Sequence, residues 1–357
     1  HWMVHSFPTR RSSDLMSLKT LWIDPVDACN LNCIMCGFKK QHTGKSRIDL
    51  TDLIYLLKEA KGIGVRNLNF GTTIEPTLYR GLPRIINKSK EMGFNISLIT
   101  SLSFIKPETG LFKALALIDN LFISIDAATK KTYKAVRQKA DWPALMRNLK
   151  ELEKSFDGER IIARFAIQKK NIKEISDFVD FVSSFGFFRG IVFDPVNISP
   201  INKNYASVAW NYNDLLLCED KLNLAYIKAE EYGLECKQYL TVDAIKKNKD
   251  LLFKKGYVYF LEGCFRYLYD KRFPKNNPCN FLRSNLFISP KKQVFPCSGA
   301  YRENELMLGD LNQNSLKEIW GSKLTNKLKK ELAQGVRQGV CRQSCSTFEG
   351  QMHIPGN

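Results

Sequence analysis

Cys29-Asn30-Leu31-Asn32-Cys33-Ile34-Met35-Cys36 is the stretch on which the fold turns. Its C-x3-C-x2-C spacing sets three thiols on an eight-residue loop shortly after an apolar run at 21–23. Thiolates so spaced can each bind one iron of a cubane cluster, which leaves the fourth iron without a protein ligand. The competing readings are a zinc knuckle and a plain cluster of buried cysteines. A closed zinc site wants four ligands, however, and the next cysteine along the chain is Cys218.

Downstream of this loop, short apolar runs alternate with helical patterns. The runs lie at 21–23, 68–70, 96–99, 121–125, 161–167 and 190–193, which predicts six β-α units around a parallel sheet. The segment 51–61 places Leu53, Ile54, Leu57 and Ala60 on one helical face, with Thr51 able to cap its start and Gly62 to end it. Asn171 with Glu174 predicts a capping box ahead of a buried stripe of Ile172, Ile175, Phe178, Val179 and Val182. Crossovers of this length are right-handed, so six units curl into a barrel or three-quarter barrel. An open doubly wound sheet would give the same periodicity. The thiol loop tips the reading toward a barrel, because catalytic groups sit on loops at the C-terminal ends of barrel strands. The expected fold is therefore α/β: a tail over 1–19, a partial (β/α)6 TIM-type barrel over 20–235, and a linker with a small α+β module over 236–357.

The thiol run after the first strand resembles the defining motif of the radical S-adenosylmethionine superfamily. That resemblance implies a [4Fe-4S] cluster on Cys29, Cys33 and Cys36 whose open iron is chelated by the methionine moiety of S-adenosylmethionine. It further implies reductive cleavage to a 5'-deoxyadenosyl radical that abstracts a hydrogen atom from a substrate. Other positions follow one at a time. Gly71, Thr72, Glu75 and Pro76 stand where the family has a Gly-Gly-Glu-Pro turn for the methionine amino group, with the second Gly altered. Thr100 and Ser101 occupy the place of a Thr-Asn-Gly turn. Ser124, Asp126 and Arg137 resemble the Ser-x-Asp and downstream Arg that hold ribose and carboxylate, a task suited to a planar guanidinium. Gln168 and Asn171 are candidate neighbours of the adenosine, and Met35 replaces the aromatic residue that often precedes the third cysteine. No catalytic residue beyond the cluster ligands is legible.

Past a predicted helix at 213–233, composition shifts toward Lys and aromatic residues. A hairpin pattern then runs from 286–288 through the turn 289–292 to 294–297. Ser315 and Glu318 predict a capping box on a short helix. Cys279, Cys297, Cys341 and Cys345 number the four ligands of a full cluster, with Cys264 a substitute. This arrangement resembles the SPASM/twitch extension and implies one auxiliary [4Fe-4S] cluster; tetrahedral zinc would also be satisfied by four thiolates. Cys218 and Cys236 read as core thiols.

The 357 residues carry a formal charge of +18. That excess suits a phosphate-bearing partner, or reflects a Lys-rich compositional bias, since the lysines are scattered among Asp and Glu. No basic block or RNA-binding motif points to nucleic acid. No apolar run reaches the ~20 residues of a membrane span, and a cytoplasmic protein with Met16 as its natural start is expected. The expected partners are a small-molecule, glycan or peptide substrate and a one-electron donor such as flavodoxin or ferredoxin. A non-catalytic carrier or sensor of the same cofactors, and a zinc-stabilised regulatory module, are the readings from other classes.

Overall fold

The computed structural model describes residues 17–105, 110–154, 159–195, 212–238, 279 and 281–336. Seven parallel strands follow one another across the sheet in chain order: β1 (Thr20–Ile23), β2 (Asn67–Phe70), β3 (Asn95–Thr100), β4 (Asn120–Ser124), β5 (Ile161–Ile167), β6 (Gly190–Pro195) and β7 (Glu235–Gln238). The helices between them are α1 (Leu50–Gly62), α2 (Leu82–Glu91), α3 (Leu111–Leu115), α4 (Lys130–Val136), α5 (Trp142–Glu153), α6 (Ile175–Ser183) and α7 (Tyr212–Glu231). The chain then returns to the opposite edge. There β8 (Asn285–Ile288) pairs in parallel with β1, β9 (Gln293–Phe295) turns back on β8, and β10 (Gly309–Asp310) ends the sheet. Helices α8 (Ser298–Glu303), α9 (Leu316–Gly321) and α10 (Lys323–Ala333) complete the described chain. No described helix is long and apolar enough to cross a membrane.

The side chains decide between barrel and doubly wound sheet. Strand residues that alternate with period two fall into two sets. Leu21, Ile23, Leu68, Phe70, Ile96, Leu98, Leu121, Ile123, Ile161, Phe165 and Phe193 all join one core with the helices. The opposite face carries Trp22, Asn69 and Ser97 in one register row, then Ile99, Phe122 and Ile162, then Ser124, Arg164 and Val192. Its apolar residues form two small patches, Phe122, Ile162, Val192 and Ile99 in one, and Trp22 with Phe281, Phe287 and Phe295 in the other. A doubly wound sheet would bury both faces under helices, whereas a one-sided helical layer with a partly polar inner face is a barrel wall. The linear strand order leaves this barrel open.

Six strands were expected in the barrel, and the structure adds β7. Gly190 explains its fit, since a Cβ there would lie 2.2 Å from the Glu235 carbonyl oxygen of the neighbouring strand. Cys218 is fully buried and Cys236 packs at the edge of the core, as thiols filling apolar space. Two caps differ from expectation. Helix α1 begins one residue earlier, after Asp49, and Thr51 lies inside its first turn. The Asn171–Glu174 box does not form, because both side chains are engaged elsewhere, as described below. Leu222, Ala225 and Ala229 of α7 join the core, whereas Leu224 is 41% exposed. The Ser315–Glu318 box forms as expected, with both reciprocal hydrogen bonds present.

Candidate active site

The thiol loop lies at the C-terminal end of β1 and is clamped from both sides. Its Asn32 and Ile34 amides donate to the carbonyls of Gln138 (2.8 Å) and Val136 (3.0 Å), so Cys33 is held opposite Arg137. The Glu75 amide donates to Ala28 (3.0 Å) from the β2 side. Cys33 is buried, while Cys29 and Cys36 are half-buried. Burial pushes the Cys29 thiol up to about 12 and the Cys33 thiol up to about 11, and raises Cys36 as well. In the metal-free chain these thiols are protonated at neutral pH, and ligation must release the protons. Among the described residues no three Cys, His, Asp or Glu side chains converge tightly enough for a single ion.

Beyond β2 the chain turns at Gly71, whose φ of +88° and close approach to the Ile99 carbonyl (2.2 Å for an added Cβ) admit only glycine. Asp24, fully buried at the end of β1, accepts from the amides of Thr72 (3.0 Å) and Thr73 (2.9 Å) and from the Thr73 hydroxyl (2.5 Å). Burial raises its pKa to about 6 against these bonds. Glu75 opens the 3-10 turn begun by Pro76. Its carboxylate accepts from the Thr77 amide and hydroxyl, the Thr100 hydroxyl (2.6 Å), and the Ser101 amide (2.8 Å) and hydroxyl (2.7 Å). Three residues singled out in the sequence, Glu75, Thr100 and Ser101, are thereby one latch between the β2 and β3 turns.

On the far side Asp126 follows β4 in the left-handed region, φ +65°, which an aspartate tolerates better than most residues. One carboxylate oxygen accepts from the Ala166 amide (2.7 Å); the other meets the Arg137 guanidinium at 2.7 Å. Burial works against the charge of Arg137, but Asp126 and Cys33 outweigh it and hold the guanidinium above its usual value. Asn171 donates to the carbonyls of Asp126 (3.0 Å) and Ala166 (2.9 Å) and accepts from the Gln168 amide (2.8 Å). Glu174 accepts from the Ala128 and Thr129 amides and the Thr129 and Thr132 hydroxyls. These two side chains tie the β4 and β5 turns together in place of capping a helix. Ser124 is half-exposed on the inner wall, and Met35 packs against the core edge.

Several buried polar atoms around this mouth lack a protein partner: both amide atoms of Gln168, the Thr72 hydroxyl, the Asn30 carbonyl oxygen and the Arg137 Nε. Native interiors rarely leave such atoms unpaired without a ligand or water to meet them. Together with the three thiols of the loop, they fit a cluster and a polar cofactor bound beside it.

The described part of the C-terminal module brings Cys279 and Cys297 to one aromatic nest with Trp22, Phe281, Phe287 and Phe295. Cys297 caps α8, its sulfur accepting from the Ala300 amide at 3.4 Å. Cys341, Cys345 and Cys264 lie outside the described residues.

Other residues of the mouth escaped the sequence reading. The Phe38 amide donates to the Cys36 sulfur (3.4 Å), and its ring lies 5.9 Å from the Arg302 guanidinium of α8. Gln41 donates to the Arg302 carbonyl (2.8 Å), so the thiol loop is tied to the helix that follows Cys297. Burial, with the charges of Asp24 and Asp27, pushes the Tyr301 hydroxyl up to about 12, and its ring packs on Phe287 with centroids 5.1 Å apart. Inside the wall, Arg164 pairs with Asp194 at 3.0 Å through Nε. The last pair had a visible signal, a charge within an otherwise apolar strand run; the long-range contacts had none.

Comparison with known proteins agrees with this geometry. The Radical SAM superfamily model matches residues 23–182, and the iron-sulfur cluster-binding SPASM domain matches 279–346. The first domain carries a [4Fe-4S] cluster and S-adenosylmethionine, the second further iron-sulfur centres. A probable GTP 3',8-cyclase of Sulfolobus acidocaldarius is 29% identical over 169 residues, 47% of this chain and 53% of that protein. Its counterpart from Saccharolobus solfataricus is 23% identical over 171 residues, 47% of this chain and 54% of that protein. The chain thus spans about half the length of these curated relatives. Streptococcus suis SuiB bound to precursor peptide SuiA shares the fold, with a TM-score of 0.64 at 17% identity over 91% of this chain and 76% of that one. So does anSMEcpe with bound S-adenosylmethionine, at 0.63 and 14% over 88% and 81%. Thiol loop, barrel and C-terminal module thus agree with a radical SAM domain over residues 23–182 and a SPASM domain over residues 279–346.

Proposed function

We propose that this protein is a radical-forming enzyme that abstracts a hydrogen atom from a polar substrate seated in the barrel mouth. The observation that carries this reading is the trio Cys29, Cys33 and Cys36 after β1, one buried and two half-buried, together with unpartnered buried polar atoms on neighbouring turns. When bound, the reduced cluster and S-adenosylmethionine supply a 5'-deoxyadenosyl radical. The protein's own part is to hold and to shield. Gln168, with both amide atoms unmet, and Thr72 supply hydrogen bonds to the cofactor; Glu75, Thr100 and Ser101 fix the turn beneath it. Arg302 of α8, buried against the Phe38 ring and accepting from Gln41 through its carbonyl, packs α8 beside the thiol loop, where it would help to keep water out.

Arg164, Asp194 and Ser124 on the inner wall suit a substrate bearing charged or hydrogen-bonding groups, whether small molecule, glycan or peptide. A peptide is supported by SuiB, which was solved with its precursor peptide. A phosphate-bearing substrate is supported by the net charge of +18 and by the GTP 3',8-cyclase name of the curated relatives. Cys279 and Cys297, with Cys341 and Cys345, would hold one auxiliary cluster, and a flavodoxin or ferredoxin would deliver the electron. The test is to reconstitute the full chain anaerobically, reduce it and add S-adenosylmethionine. 5'-Deoxyadenosine should form with the wild type and stay at background with Cys33→Ala; equal background in both sinks the reading.

A further inference from the structure

The register of the thiol loop against residues 136–138 has a consequence beyond holding a cofactor. Arg137 is only 8% exposed, and its guanidinium is divided. Nη2 meets the Asp126 carboxylate at 2.7 Å, while Nη1 reaches the Cys33 sulfur at 3.9 Å. The backbone ladder on either side, Asn32 to Gln138 and Ile34 to Val136, leaves this pair facing each other. Asp126 is held in its left-handed conformation by the Ala166 amide, so the arginine is aimed and cannot swing freely. A backbone conformation of this kind persists only where its surroundings impose it.

A cation in contact with one thiolate of a cluster stabilises the state with more negative charge, and low local dielectric magnifies that effect. A carboxylate on the far side of the cation partly cancels it. The geometry points to Asp126 and Arg137 as a positioning pair that sets the reduction potential of the cluster on Cys29, Cys33 and Cys36, Arg137 raising it and Asp126 moderating the rise. The pair therefore governs how readily one electron enters the cluster, whatever substrate follows. This inference rests on the proposed cluster.

The test is a redox titration of the full, reconstituted chain followed by electron paramagnetic resonance, tracking the signal that Cys33→Ala removes. Arg137→Gln should move the midpoint to more negative potential, Arg137→Lys should recover most of the shift, and Asp126→Asn should move it the other way. General loosening of the site would displace both in one direction, so shifts of the same sign, or an unmoved midpoint, overturn the inference. Should Arg137→Gln fail to hold a cluster, the direction of the Asp126→Asn shift decides alone. Absence of any cluster signal in the wild type overturns the proposed function and this inference together; a cluster with unmoved potentials overturns the inference only.

Discussion

Asp24 shows how a single residue couples the site to the stability of the fold. It is fully buried, it anchors the turn that carries Thr72 and Thr73, and burial lifts its pKa from 3.8 to about 6. The native state therefore binds a proton more tightly than the unfolded chain. Its contribution is fully present at low pH and is lost as pH rises from about 4 through 6. Between pH 7 and pH 4 the cluster-free wild type should gain about 2 kcal/mol of unfolding free energy relative to Asp24→Asn. Urea denaturation of the two proteins at both pH values measures this; an unchanged difference would mean that the carboxylate stays ionised. No sequence pattern marked Asp24, because its role depends on amides 48 and 49 positions away. Glu75 was legible through its Glu-Pro step, yet its partners Thr100 and Ser101 meet it only once β2 and β3 are paired.

At the scale of elements, the join between barrel and C-terminal module is a shared aromatic core. Trp22 of β1 points from the inner wall onto Phe281 (centroids 5.9 Å apart) and packs with Phe287 and Phe295 of the hairpin. Lys292 with Asp52, and the Lys317 amide with Glu59, fasten the same module to α1. Removing a large buried aromatic typically costs about 3–5 kcal/mol through lost burial and the cavity left behind. Trp22→Ala should lose that much in denaturant unfolding. Hydrogen exchange should quicken in the hairpin 285–295 while β5 and β6 stay protected; equal protection of the hairpin would show that backbone pairing with β1 alone secures it. The hairpin and the Ser315 cap were both readable from local signals. Their attachment to β1 was not, since a parallel pairing across some 265 residues leaves no periodic trace.

For the whole molecule, the open sheet brings two cysteine sites under one roof, with the thiol loop bonded to α8 behind Cys297. Two cubanes predict about eight irons per reconstituted chain, and about four in Cys297→Ala, without stoichiometric zinc. Iron and zinc analysis by plasma spectrometry measures both; one equivalent of zinc in the wild type would replace the auxiliary cluster with a structural zinc site. Amino-acid order alone sufficed for the thiol spacing, the first six strands, the buried stripe of α6 and the parallel α/β class, because each rests on residues close in the chain and on period. Only the folded chain closed the Glu75 latch, set Arg137 against Cys33, diverted Asn171 and Glu174 from capping to bridging, and added β7 and β8 to the edges of the sheet. The physical reason is the same throughout: these contacts join groups far apart in sequence, and their partners are chosen by strand register and burial, which act only once the sheet exists.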